Sequence, residues 1–167
     1  MNRVARLIET LELKPHPEGG YFRETYRSTE SIHNSNLPDV FNGDRNVSTG
    51  IYYLLESDNF SAFHKINQDE MWHFYSGDPI VLTMISPQGE LTTTHIGNEI
   101  HLDQVPQFVV PKKYWFSAKL AKNDAYALLG CTVAPGFDFK DFHLASRNNL
   151  TKKYPQHKEV IKALTRA

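Results

Sequence analysis

Residues 62–77, AFHKINQDEMWHFYSG, crowd two histidines, an Asp–Glu pair and a tryptophan into one short run. Read as a metal-ligand cluster, the run has His64, Glu70 and His73 as its donors. Read as strands, its residues separate by alternation, because successive strand side chains point to opposite faces. From Glu70 onward, Glu70, Trp72 and Phe74 share one face, while Met71, His73 and Tyr75 share the other. On the preceding strand, Ala62, His64 and Ile66 lie together. If His64 and Glu70 face one cavity, His73 is turned away from it.

The sequence on both sides supports strands. GYFRETYRS, STGIYYLLES, FSAFHKI, PIVLTMIS, ELTTTHIG, QFVVP, YWFSAKLA and AYALLGCTVAPG are short runs rich in β-branched and aromatic residues. Gly, Pro, Asn and Asp punctuate them at roughly 8–12-residue intervals, the rhythm of an antiparallel sandwich or barrel. Val4, Leu7, Ile8 and Leu11 have the spacing of an amphipathic helix at one end, and Val160, Ile161 and Leu164 mark another near the other end. HNSNLPDVFNGDRN reads as a long surface loop, and no linker divides the 167 residues, so one domain over 1–167 is expected.

Charge is balanced at −1, with 18 basic and 19 acidic residues. This argues against nucleic-acid or membrane partners. Cys131, the only cysteine, excludes an internal disulfide and thiolate zinc clusters and fits a reducing cytoplasm. It lies in an apolar strand without charged sequence neighbours, a poor setting for a nucleophile.

The pattern resembles the cupin superfamily, whose first motif reads His-x-His, three or four residues, Glu, six residues, Gly. His64, Glu70 and Gly77 keep that spacing, with Ile66 in place of the second histidine. The second motif, Pro-x-Gly-x-x-His, is matched by PKKYWF, with Pro111 kept, Lys113 in the Gly place and Phe116 in the His place. HPEGGYFRETYRS, STGIYYLL, FHKINQDEMWHFYSGDP, VVPKKYW and GCTVAPGFDFKDFHLA together are similar to the fifth numbered cupin subfamily, a domain of unknown function, over roughly residues 4–147. The resemblance implies an all-β double-stranded β-helix, or jelly roll, with short amino- and carboxy-terminal helices. It also implies likeness to deoxythymidine-diphosphate-sugar epimerases, metal-free enzymes in which the first-motif histidine is a general base. His64 is the position that maps onto it.

Three functional readings follow. The first is metal-free isomerase or epimerase chemistry, with His64 as base, Glu70 setting its tautomer, and a phenol from Tyr52, Tyr114 or Tyr126 as acid. The second is a metal-dependent cupin enzyme, for which a divalent transition metal has only His64 and Glu70 as identifiable ligands. The third is ligand binding without chemistry, in a pocket walled by Trp72, Phe74, Trp115, Phe116, Tyr52 and Tyr126. The expected cofactor is none, and the expected partner a small molecule.

Two further segments carry alternatives. PHPEGG (15–20) reads as a glycine-enabled turn from the first helix into an edge strand, or as a site placing His16 or Glu18 at a pocket mouth. Arg23 and Arg27 are either a solvated strand face or an anion site. Phe137, Phe139 and Phe142 in APGFDFKDFHLAS are expected at a homodimer interface, with the first strand as the other candidate.

Overall fold

Alternation in the strand Thr49–Glu56 sends Ile51, Tyr53 and Leu55 to one face, where they meet the apolar residues of an opposing sheet. The computed structural model describes residues 2–123 and 125–166. Its strands are β1 (Lys14–Pro15), β2 (Tyr21–Arg27), β3 (Ser31–Ile32), β4 (Arg45–Asn46), β5 (Thr49–Glu56), β6 (Phe60–Lys65) and β7 (Asp69–Gly77). After these come β8 (Ile80–Ile85), β9 (Leu91–Ile96), β10 (Gln104–Val105), β11 (Gln107–Val110), β12 (Trp115–Leu120), β13 (Tyr126–Ala134) and β14 (His143–Leu144). One six-stranded sheet runs β1-β2-β5-β13-β7-β11 and the other β10-β9-β8-β12-β6-β14, with β3 and β4 forming a separate ribbon. Every pairing is antiparallel except β9 with β10. The two sheets bear out the antiparallel sandwich or barrel suggested by the strand rhythm, and form the jelly roll implied by the resemblance.

Trp72, Leu82, Phe116 and Leu129, each under 2 % exposed, fill the space between the sheets. Helix α1 (Arg3–Thr10) begins at Asn2, whose side chain accepts the Ala5 N–H. The carboxy-terminal helical signal resolves into two helices, α2 (Arg147–Lys153) and α3 (Lys158–Ala163). Only α3 carries the Val160 and Ile161 pattern; α2 buries Leu150 alone and so has no periodic stripe to read. Ile161 and Leu164 pack on Phe63 and Ile85 behind the second sheet, contributing roughly 1.5–3 kcal/mol each. Among the described residues, no helix is long and apolar enough to cross a membrane.

Two local features set up the site. Lys113, standing in the motif's Gly place, adopts φ 71°, the left-handed turn glycine ordinarily supplies. At 15–20 the chain forms a hairpin tip between β1 and β2, closed by His16 N–H to Gly20 O and Gly19 N–H to His16 O. Gly19 and Gly20 have φ 119° and 71°, and a Cβ on either would strike the carbonyl oxygens of Phe60 or Leu54. That close approach lets the tip press against the barrel, where Ala62 N–H bonds Glu18 O at 2.8 Å and Tyr53 Oη donates to Gly19 O.

The loop over residues 33–46 is largely exposed but buries Phe41 and Arg45. Arg45 donates through Nε and one terminal nitrogen to both oxygens of Asp141, at 2.8 and 2.7 Å. Gln68 and Asn67 donate to the same carboxylate. This buried fork fixes residues 137–142 across one end of the barrel. Phe137, Phe139 and Phe142 all line a cavity there, with Phe139 at its rim and 51 % exposed.

Candidate functional site

Under that strap lies a cavity of about 310 Å³, at the lower end of the range for small-molecule sites. The hairpin tip contributes His16 and Glu18 to it, β6 contributes His64, and β7 contributes Glu70. His64 and Glu70, inward-facing by strand alternation, therefore share one chamber. His73 is on the outside, between Thr132 Oγ1 at 2.9 Å and the Gln107 amide at 3.1 Å.

The hydrogen-bond partner of His64 is not Glu70 but Glu18. His64 Nε2 lies 3.0 Å from Glu18 Oε2, and Nδ1 lies 2.8 Å from the Ala62 carbonyl oxygen. A carbonyl only accepts, so Nδ1 carries a proton, and the remaining proton lies between Nε2 and a carboxylate. Burial opposes charge on both partners, yet their mutual attraction wins, holding His64 above and Glu18 below the ordinary range. The result is a buried imidazolium–carboxylate pair, with Ser61 Oγ donating to Glu18 Oε1 at 2.9 Å. Both His64 nitrogens are engaged, so the ring has no free base to offer.

Glu70 is in the opposite condition. Burial pushes its carboxyl up to about 7; His64 pulls it down and Glu18 pushes it up. No Arg or Lys pairs with it among the described residues. Cys131 lines the cavity beside Glu70, so it has a charged neighbour that its sequence context did not show. Burial and that carboxyl push the thiol well up, and it stays protonated.

The aromatic residues expected as walls sit elsewhere. Trp72 and Phe116 belong to the packed core beneath the cavity, and Phe74 and Tyr114 pack against it. The Phe116 ring lies against His64, with centroids 4.0 Å apart. Trp115 is one residue off in parity and faces α2, under the Lys65 ammonium. Tyr52 meets Tyr75 edge-on away from the cavity, and Tyr126 lies under Arg3. The walls are instead Phe22, Ile51, Tyr53, Ile66, Phe137 and Phe142. At the mouth, Arg27 is forked onto Glu24 and also bonds Asn46 and the Phe137 carbonyl.

A cupin metal centre would draw on the first-motif histidines, the glutamate and the second-motif histidine. Ile66 and Phe116 carry no donor atom, and His64 spends both nitrogens on Ala62 and Glu18. Among the described residues, no three His, Cys, Asp or Glu side chains are placed to hold a metal ion. The residues present do not fit a resident metal ion.

Residues 5–145 match the family described as "Cupin superfamily (DUF985)". The uncharacterized protein YML079W of Saccharomyces cerevisiae is 32% identical over 147 residues, covering 83% of this chain and 73% of that protein. Protein SO0799 from Shewanella oneidensis superposes with a TM-score of 0.89 at 40% identity, covering 99% of both chains. A hypothetical protein from Leishmania major gives the same score at 31% identity, covering 99% of this chain and 100% of its own. Oxalate decarboxylase from Bacillus subtilis, at 14% identity and a TM-score of 0.53 over 90% of this chain and 36% of its own, shares the fold alone.

Proposed function

Because the chain belongs to the DUF985 group of the cupin superfamily, we propose that its barrel cavity binds a small organic molecule and moves a proton on it, in isomerase-type chemistry without a resident metal. The observation that carries this reading is the contrast between the cavity's two ionisable centres. His64 is locked as an imidazolium by Glu18, whereas Glu70 faces the same space without a cationic partner and is held near neutrality. A carboxyl poised near 7 is matched to taking and returning a proton at ordinary pH. A fixed positive charge close by stabilises negative charge that develops on the substrate. Glu70 is therefore the proton carrier, and His64 an electrostatic group positioned by Glu18.

The direct test incubates the protein with single-ring carbonyl compounds in heavy water and follows loss of the α-proton signal by NMR. Glu70→Gln should slow the exchange by roughly 10²–10⁴-fold with the fold intact. Undiminished exchange in that variant, or no exchange with any such compound, would remove the reading.

A further inference from the structure

His16 lines the cavity but has no part in the proton transfer described above. Its Nδ1 lies 3.5 Å from Glu18 Oε2 and accepts the Glu18 backbone N–H at 3.3 Å; with that lone pair taken by the amide, the ring proton sits on Nε2. Burial keeps the imidazole neutral by lowering its pKa; Glu18 offsets this only in part, and the His64 charge adds to the lowering. The ring is held edge-on to Phe22, with centroids 4.7 Å apart, and roughly parallel to Phe139 at 6.0 Å. With the side chain 8% exposed, its Nε2–H has no acceptor among the described residues. A fixed, neutral and unpaired donor on the cavity wall calls for an acceptor on whatever displaces water from that cavity.

Charge then selects the kind of acceptor. Four carboxyl groups line the cavity and its mouth: Glu18, Glu24, Glu70 and Asp138. Arg27 is the only guanidinium or ammonium among the lining residues, and Glu24, Asn46 and the Phe137 carbonyl already occupy it. An anion would lose its hydration beside these carboxylates, and the one cation it could meet, the His64 imidazolium, is already paired with Glu18. The carboxylates would draw an ammonium to the mouth, but it has donors only, so deeper in it would leave the His16 N–H unpaired and would face the His64 imidazolium. An uncharged oxygen acceptor avoids both penalties. Size narrows the choice further, because about 310 Å³ is at the lower end of the range for small-molecule sites. That volume suits one ring with a short substituent.

We infer that the molecule taken by this cavity is an uncharged carbonyl compound of single-ring size, and that the His16 Nε2–H holds its carbonyl oxygen. The inference builds on the proton-transfer reading. The Glu70 carboxylate removes the proton from the carbon next to the carbonyl, and the C–H electron pair moves into the C–C bond. The carbonyl π pair moves onto oxygen, giving an enolate held by His16. Return of the proton from Glu70 to the face it left restores the carbonyl. A neutral imidazole suits this role, since it donates a hydrogen bond without surrendering its proton.

The test is a ligand-observed NMR titration of the full chain with three probes of matched size: acetophenone, benzoate and benzylammonium. Acetophenone should bind most tightly, with benzoate at least roughly tenfold weaker. His16→Phe keeps the ring packing and removes the donor, and should weaken acetophenone roughly fivefold to tenfold. His16→Gln, which keeps an N–H donor, should recover most of that loss. Either charged probe binding as tightly as acetophenone would overturn the inference, as would unchanged acetophenone affinity in His16→Phe. These readouts need no turnover. Failure of Glu70→Gln to slow exchange would count against the proton-transfer reading while leaving the binding order intact.

Discussion

Replacing Glu70 by glutamine keeps the size and shape of a buried side chain and removes its ability to ionise. In the unfolded chain this carboxyl loses its proton near its ordinary 4.5; in the folded protein it keeps the proton up to about 7. Between those limits the native state binds more protons than the unfolded state, so this group lowers stability as pH rises. The difference between 4.5 and about 7 corresponds to a penalty of about 3 kcal/mol, complete above pH 7 and nearly absent at pH 4. Glu70 is 8% exposed, so solvent screening removes little of it. Urea denaturation of the protein and of Glu70→Gln, from pH 4 to pH 8, isolates the effect. Groups remote from the cavity cancel between the two proteins, the coupled His64 and Cys131 shifting with the substitution, and the variant should gain about 3 kcal/mol relative to the parent across that range. A pH-independent difference would refute the reasoning, and so would a variant that loses stability toward pH 8. Either would mean that Glu70 is charged and partnered in the fold.

Two other outcomes follow from the same geometry. Asp141→Ala strands Arg45, whose side chain is 2% exposed, without its carboxylate; chemical denaturation should show a loss of about 3–5 kcal/mol. A loss under about 1 kcal/mol would mean that the fork does not anchor the strap over the cavity. Elemental analysis of protein purified without a histidine tag should find transition metal well below one equivalent per chain. Near-stoichiometric metal would contradict the reading of Ile66, Phe116 and the engaged His64 as an unsuitable donor set.

Much of the fold was legible because it depends on local pattern. The β-rich runs, their turn residues and the strand parity around Glu70 led to two sheets, with His64 and Glu70 facing inward together. Parity, however, reports which face a residue occupies and not its height along the barrel. Glu70 and Trp72 share a face, yet a two-residue step of about 7 Å takes the chain from the cavity to the packed core. The same limit explains why Phe74 and Phe116 lie in or against the core. Tyr52 and Tyr53 are adjacent and point opposite ways, and it is Tyr53 that faces the cavity. Glu18 escaped as the partner of His64 because 46 positions separate them and only the hairpin tip brings them together. PHPEGG did carry a signal: its paired glycines marked a close backbone approach, and that approach delivers Glu18. For Phe137 and Phe142, chain path decided the outcome, since the Arg45–Asp141 fork that folds them over the barrel joins residues 96 positions apart.

The proposed chemistry requires Glu70 to be the free, titrating acid of a cavity in which His64 is already paired. The most direct measurement is a carbon-13 NMR titration of carboxyl-labelled glutamate, with the Glu70 signal assigned by its loss in Glu70→Gln. A midpoint near 7 is the result expected. A midpoint at or below the ordinary 4.5 would contradict the account, because Glu70 would then be a paired carboxylate with no proton to exchange.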